Sequence, residues 1–181
     1  DDGELLKTRM QVKKKRLKEK KVKPLSVLAI IPTRGSKMDP RSMPLEELGE
    51  KCLIDWTIEC ALRSKFLSDV IVTTPDSNVI MHVGKKYDKK IIIVKRSKEL
   101  ARINVDFEDT IVDAVKKYEK NKLSHDAVMV LDIESPFKSA LFIEKAIYTM
   151  QIYDVDLVQS VIIDDSFYYE HDGSGLKPRL P

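Results

Sequence analysis

A chain of 181 residues, 43% hydrophobic and 34% charged, has the material for one domain with a real core under a polar surface. No apolar run approaches the roughly 20 residues of a membrane span, and the acidic opening DDGELLKTRM lacks the apolar stretch of a signal peptide. The net charge of +3 hides a division, because residues 1–25 carry +6 and the remainder −3; the body is therefore no nucleic-acid-binding surface by net charge.

Residues 1–24 are polar, Lys-rich and free of aromatics, and read as a basic extension, helical or disordered, that ends at Pro24. From there strands and helices alternate. LSVLAII predicts a strand buried on both faces, and KCLIDWTIECALRSK has helical spacing through Leu53, Trp56, Ile58, Cys60 and Ala61, with Trp56 expected in the core. DVIVTT predicts a strand ended by Pro75. DSNVIMHVGKKYD predicts a helix capped by Asp76 or Ser77. KIIIVK is a short strand, and DFEDTIVDAVKKYEKN an amphipathic helix, acidic at its start and basic at its end as the helix dipole favours. DAVMVLDI, SALFIEKAIYTMQIY and VDLVQSVII predict strand, helix and strand, before a turn-rich end.

Five such rounds of apolar strands and helices predict a three-layer, Rossmann-like α/β domain over residues 25–181. Its sheet is mostly parallel, with Ile30, Ile71, Val130 and Val161 on central strands. Ligands of such sheets bind at the carboxyl ends of the strands, so the loops after Ile31, Thr74 and Leu131 matter most. Cys52 and Cys60 lie too far apart on a helix to bridge each other, and no histidine stands at ligand spacing from them. They read as buried thiols of a reducing, intracellular compartment, the cytoplasm first. His82 and His125 read as structural, and His171 as solvated.

In VLAIIPTRGSKMDPRSMP an apolar strand runs into a loop suited to phosphate. Gly35 allows close approach, Ser36 offers a hydroxyl, and Arg34 and Lys37 offer charge. Neither G-x-x-x-x-G-K-[ST] nor G-x-G-x-x-G is present, so this is no Walker loop and no dinucleotide fingerprint. A solvated basic turn is the competing reading.

The blocks LAIIPTRGSK, LIDWTIECALRSKFLSDVIVTTPDSNVI, LDIESPF and SVIIDDSFYYEHDGSGLKPRLP, in that order over about residues 26–181, resemble the acylneuraminate cytidylyltransferase family, the CMP-sialic acid synthetases. The resemblance implies a fold of the nucleotide-diphospho-sugar transferase type and a reaction. CTP binds on the first loop with magnesium (Mg2+) on its phosphates, the anomeric hydroxyl of a sugar acid attacks the α-phosphorus, and pyrophosphate leaves. It implies Arg34 and Lys37 as catalytic, phosphate-binding residues, with Gly35, Ser36 and Arg41 completing the nucleotide loop. It also implies Arg96 and Ser135 toward the substrate, and Asp132 and Glu134 as metal ligands, the second by likeness to the related KDO cytidylyltransferases. A homodimer is a further expectation. LKPRLP resembles the point where the family passes into its dimerisation segment, which implies that the family's C-terminal part, with an Asn-Gly and an Asp of the metal site, is missing.

The departures are as informative as the matches. One glycine stands where the family has two. The family's Lys-Asn pair falls on Ser42-Met43 or Met43-Pro44, and its Gln on Asp132, which cannot donate a hydrogen bond and repels phosphate. Two readings follow. One is a cytidylyltransferase acting on CTP and a sugar acid of the N-acylneuraminate class, with a degraded nucleotide site. The alternative is a pseudoenzyme, a structural subunit whose Lys-rich tail docks on protein or RNA partners of a larger assembly.

Overall fold

The computed structural model describes residues 24–120, 124–162 and 168–179. The basic extension, apart from Pro24, lies outside them. The strands are β1 (Val27–Pro32), β2 (Glu47–Leu48), β3 (Lys51–Cys52), β4 (Asp69–Thr74), β5 (Ile92–Lys95), β6 (Ala127–Val130), β7 (Tyr168–His171) and β8 (Leu176–Arg179). The helices are α1 (Leu53–Arg63), α2 (Ser77–Tyr87), α3 (Phe107–Glu119) and α4 (Ala140–Tyr153).

The central sheet has the order β5-β4-β1-β6, and every pairing in it is parallel. Its inner strands, β1 and β4, form because β-branched runs are buried on both faces. In β1, Val27, Ala29 and Ile31 point into a core with Ile54 and Ile58 of α1, Val79 and Val83 of α2, and Ile143 and Ile147 of α4. Leu28 and Ile30 point the other way, onto Ala114 and Tyr118 of α3. Two cores on two faces make the three layers expected. The chain moves outward from β1 to β4 and β5, then crosses back to β6 on β1's other side. That reversal puts a topological switch between β1 and β6, where sheets of this kind open a crevice for ligands.

The helix starts follow local chemistry. Asp76 caps α2, its Oδ1 accepting from the Asn78 N–H at 2.8 Å. Glu108 and Asp109 open α3 and Lys116 and Lys117 close it.

Three expectations need correction. VDLVQSVII supplies no strand over residues 155–162, and Val161 and Ile162 stand 83% and 90% exposed; β6 is the sheet's edge among the described residues, its Val128 and Val130 also exposed. An apolar run becomes a strand only where a neighbour accepts its backbone hydrogen bonds. Trp56 is only half-buried: its indole N–H donates to the Leu48 carbonyl at 3.0 Å and its ring meets Phe137 edge-on, pinning the β2–β3 hairpin to α1. The turn-rich end contains a small antiparallel hairpin, β7–β8.

Candidate functional site

The loop leaving β1 is built around Gly35. Its φ of +80° lies in the left-handed region, and a Cβ there would come within 2.2 Å of Asp76 Oδ2. Glycine is thus required twice, by the turn and by the close approach of the loop that follows β4. The Gly35 carbonyl accepts from the N–H groups of Met38 and Asp39, both at 3.1 Å, while its own N–H donates to Ser42 Oγ at 3.2 Å. Ser42, where the family's Lys-Asn pair falls in one alignment, therefore fastens the loop onto itself. Asp39 is buried at the loop's centre. It accepts from the Arg41 N–H and Nε at 3.0 and 3.2 Å and lies 3.6 Å from an Arg34 nitrogen. Hydrogen bonds from Arg41, helped by the Arg34 charge, hold its carboxyl below the usual range.

Two guanidiniums converge at the carboxyl ends of β1, β4 and β5. Arg96 follows β5 and is 4% exposed. It donates to the Thr33 carbonyl and, at 3.4 Å, to Thr110 Oγ1, and its backbone N–H donates to the Thr74 carbonyl at 3.0 Å. Burial pushes its pKa down to about 10, and the like charge of Arg34 pushes the same way. Among the described residues, Arg34 Nε, Arg96 Nε and Thr73 Oγ1 are buried with no hydrogen-bond partner. Orphaned donors are costly in a folded core, and these lie beside two like charges, of which Arg34 has a partial counter-charge in Asp39 and Arg96 donates only to neutral oxygens. A cavity of about 590 Å³ opens beside Arg96, lined by Pro75, Ser77 and Ile80 and by the run Lys95–Glu99; Arg34 and Thr73 do not line it.

The loop after β6 is different. Asp132 Oδ1 accepts from the Ser135 N–H at 2.8 Å and from Lys138 Nζ at 3.3 Å, and the same ammonium binds the carbonyls of Asp132 and Ser135. Burial would raise the Asp132 pKa, but these bonds and the Lys138 charge outweigh it and hold the carboxyl down. Thr57 of α1 donates to the Asp132 carbonyl at 3.1 Å, anchoring the loop to the helix. Glu134 Oε2 accepts from the Ile133 N–H at 3.2 Å, and Ser135 is exposed in the turn.

The structure thus brings Arg34, Gly35 and Arg96 together with Thr33, Thr73 and Asp76. Ser36 and Lys37 stand exposed on the loop's crest, and Arg41 is engaged with Asp39 on an exposed flank. Asp132, Glu134 and Ser135 sit in the loop after β6, on the other side of the β1–β6 switch. Sequence reading missed Asp39, Thr33 and Thr73; a buried Asp in a basic loop has no local signature beyond the nearby arginines.

It also missed a second cluster. Asp55 of α1 is 1% exposed and receives His82 Nε2 at 3.0 Å, Lys86 Nζ at 2.8 Å and the Tyr87 hydroxyl at 2.8 Å, all from α2. Burial would raise its pKa, but the bonds from Lys86, His82 and Tyr87 prevail and lower it. Cys52, only half-buried, adjoins this group. His82 thus has the structural role expected of it, but its partner, Asp55, stands on a helix more than twenty residues away, which spacing along the sequence cannot reveal.

The family model described as Cytidylyltransferase matches residues 28–171. CMP-N,N'-diacetyllegionaminic acid synthase of Legionella pneumophila is 30% identical over 161 residues, covering 86% of this chain and 68% of that protein. N-acylneuraminate cytidylyltransferase of Escherichia coli is 30% identical over 125 residues, covering 69% of this chain but 28% of that protein. Among solved structures, a 4-diphosphocytidyl-2C-methyl-D-erythritol synthase superposes with a TM-score of 0.63 at 13% identity, over 86% of this chain and 68% of that one. A CMP:2-keto-3-deoxy-manno-octonic acid synthetase complexed with CTP superposes with a TM-score of 0.55 at 23% identity, over 70% of this chain and 47% of that one. At these identities the structural likeness establishes the Rossmann-like nucleotide-sugar transferase fold. No helix among the described residues is long and apolar enough to cross a membrane.

Proposed function

The chain belongs to the cytidylyltransferase family, and we propose that it grips the triphosphate of CTP for transfer of CMP to a sugar acid of the N-acylneuraminate class, with reduced discrimination of the base. The observation that carries this reading is the pair Arg34 and Arg96, each with a buried, unpartnered Nε at the strand ends. A phosphate group supplies both the acceptors and the charge that the pair lacks, and charge-assisted bonds of this type are the strong ones. Lys37 and Ser36, exposed on the same loop, add charge and a hydroxyl from the solvent side. The two relatives named as CMP-sugar-acid synthase and N-acylneuraminate cytidylyltransferase support the acceptor class.

A divalent cation is part of the proposal. Asp132 and Glu134 would hold it, since carboxylate oxygens suit magnesium, with the Lys138 ammonium, now 3.3 Å from Asp132 Oδ1, giving way to the ion. When bound, the ion offsets the negative charge on the phosphates. The chain's own residues do the rest. Arg34 and Arg96 orient the triphosphate so that the α-phosphorus faces the acceptor hydroxyl, and Ser135 stands toward the acceptor. Reduced base reading follows from the loop. Ser42 is occupied with the Gly35 N–H, and Met43 and Pro44 carry no side-chain amide for cytosine. A missing contact of that kind costs about 1–3 kcal/mol.

Calorimetry with CTP, UTP and ATP, each with magnesium, tests the reading. The expected result is micromolar-to-millimolar binding, similar for the three nucleotides and lost in Arg34→Ala. Absence of any nucleotide binding would refute it. A second reading, binding without turnover, is favoured by Lys138, which already fills the Asp132 carboxylate. Pyrophosphate release from CTP and N-acetylneuraminate separates the two. Turnover supports transfer, and binding without release supports the inactive form, in which the basic tail serves protein or RNA partners.

A further inference from the structure

Away from the nucleotide loop, the start of α1 and the outer face of α2 bring together three side chains of metal-ligating type. Cys52 Sγ, an Asp55 carboxylate oxygen and a His82 ring nitrogen all lie within 4.8 Å of one another. They form the one group of three or more such residues among the described residues. We propose that Cys52, Asp55 and His82 are three protein ligands of a site for one borderline-soft divalent cation of the zinc class, with water in the fourth position.

The chemistry of the donors selects the metal class. Thiolate, imidazole and carboxylate together suit zinc and cobalt, whereas magnesium and calcium prefer oxygen alone. In a tetrahedral zinc site, bond lengths near 2.0–2.3 Å place neighbouring donors about 3.3–3.6 Å apart. His82 Nε2 already stands 3.0 and 3.1 Å from the two Asp55 oxygens, so the remaining closure, from within 4.8 Å, is a movement of about 1.5 Å at most, and Cys52 is half-buried at the helix start, where its rotamer can supply it. Asp55 is held from behind, because Tyr87 donates to its Oδ1 at 2.8 Å. Such a bond orients a ligating carboxylate and leaves the other oxygen for the cation. That oxygen, Oδ2, is now taken by the Lys86 ammonium at 2.8 Å. Lys86 is partly exposed, and a second carboxylate, Glu59 Oε1, already lies 3.9 Å from its Nζ. It can therefore yield Oδ2 without losing its counter-charge. On ligation the Cys52 thiol gives its proton to the buffer, and the proton that His82 Nε2 now donates to Asp55 leaves that nitrogen, with Nδ1 carrying the ring proton in the ligating tautomer. Occupancy ties β3 to α2, and through the Ile54 N–H, which donates to the Pro44 carbonyl at 2.9 Å, it stiffens the end of the nucleotide loop.

The sequence makes the test clean, since Cys52 and Cys60 are the only two thiols in the chain. The metal-free full chain is titrated with Co2+ and read by its thiolate-to-cobalt charge-transfer band, then with Zn2+ in competition with a chromophoric chelator. The expected result is one saturable equivalent, with the band lost in Cys52→Ser, kept in Cys60→Ser, and the Zn2+ affinity reduced at least tenfold in His82→Gln. Lys86→Met is expected to tighten Zn2+ binding several-fold, because it removes the competing ammonium. Circular dichroism of each variant checks that the fold is intact, and Cys52→Ala serves if the serine variant does not fold. A folded wild type that binds no Zn2+, a band that depends on Cys60, or undiminished binding in His82→Gln would overturn the proposal.

Discussion

The two sides of the β1–β6 switch are built on opposite electrostatic plans. At the ends of β1, β4 and β5, two like charges, Arg34 and Arg96, approach each other with buried donors left unpaired. At the end of β6, Asp132 and Glu134 are satisfied within their own loop by backbone N–H groups and by Lys138. The first side keeps unpaired donors, while the carboxylates of the second already have partners within their own loop. Cost therefore locates function better than polarity does. Charged residues occur on both sides, but only on the first do buried guanidinium nitrogens lack a partner, which is the observation behind the proposed phosphate site.

The largest expected effect strikes the hinge of the first side. Gly35→Ala must place a Cβ against Asp76 in a left-handed backbone, and is expected to lose about 2–3 kcal/mol of stability, read as a lower urea midpoint. Asp76→Ala alone should cost about 1 kcal/mol through its cap. The double variant should cost less than the sum of the two, because the clash partner is gone. Simple additivity would mean that the two loops do not meet.

Next comes the charge itself. Arg96→Met keeps volume and removes the guanidinium. Affinity for CTP and for pyrophosphate is expected to fall at least tenfold, about 1.4 kcal/mol, while stability holds or rises, since replacing a buried charge by an apolar group is often neutral or favourable. A large loss of stability without loss of binding would reverse the assignment and make Arg96 a structural bolt for Thr33.

The second side should respond weakly. Asp132→Asn is expected to change stability by no more than about 1 kcal/mol, as exposed ion pairs do. It should leave metal-free CTP binding intact and weaken only the increment that magnesium adds. Equal losses with and without magnesium would show that the two sides are not separable.

The smallest effect is the pH dependence of Asp39. Its folded-state pKa is lowered below 3.8, chiefly by Arg41, so its contribution is complete above the unfolded value and disappears as pH falls through the folded one. The stability gap between wild type and Asp39→Asn should stay constant from pH 8 to 5 and close only below pH 3.8. A gap that closes near neutral pH would place another group in control of the loop.

The strands of the central sheet and the four α-helices of the described residues were legible in the sequence, because hydrophobic period and terminal chemistry are local. DVIVTT became β4 at its own bounds, and Asp76 caps α2 as its position announces. VDLVQSVII misled for the complementary reason: apolarity states that a segment can be buried, not that a neighbouring strand is present to pair with it. Arg34, Gly35 and Arg96 were identified by resemblance, Arg34 also by its charge and Gly35 also by the close approach that a phosphate loop needs.

Sequence by itself determined the α/β alternation, the family and the glycine turn after the first strand, since each is written in contiguous residues. Tertiary structure alone decided that Gly35 rests on Asp76, that Arg34 and Arg96 face one another from strands separated by β4, that Lys138 fills Asp132, and that Cys52, Asp55 and His82 meet. The physical reason is that hydrophobic periodicity and capping act between residues a few positions apart, whereas charge pairing and ligand geometry act through space, between residues that only the closed sheet brings within a few ångströms.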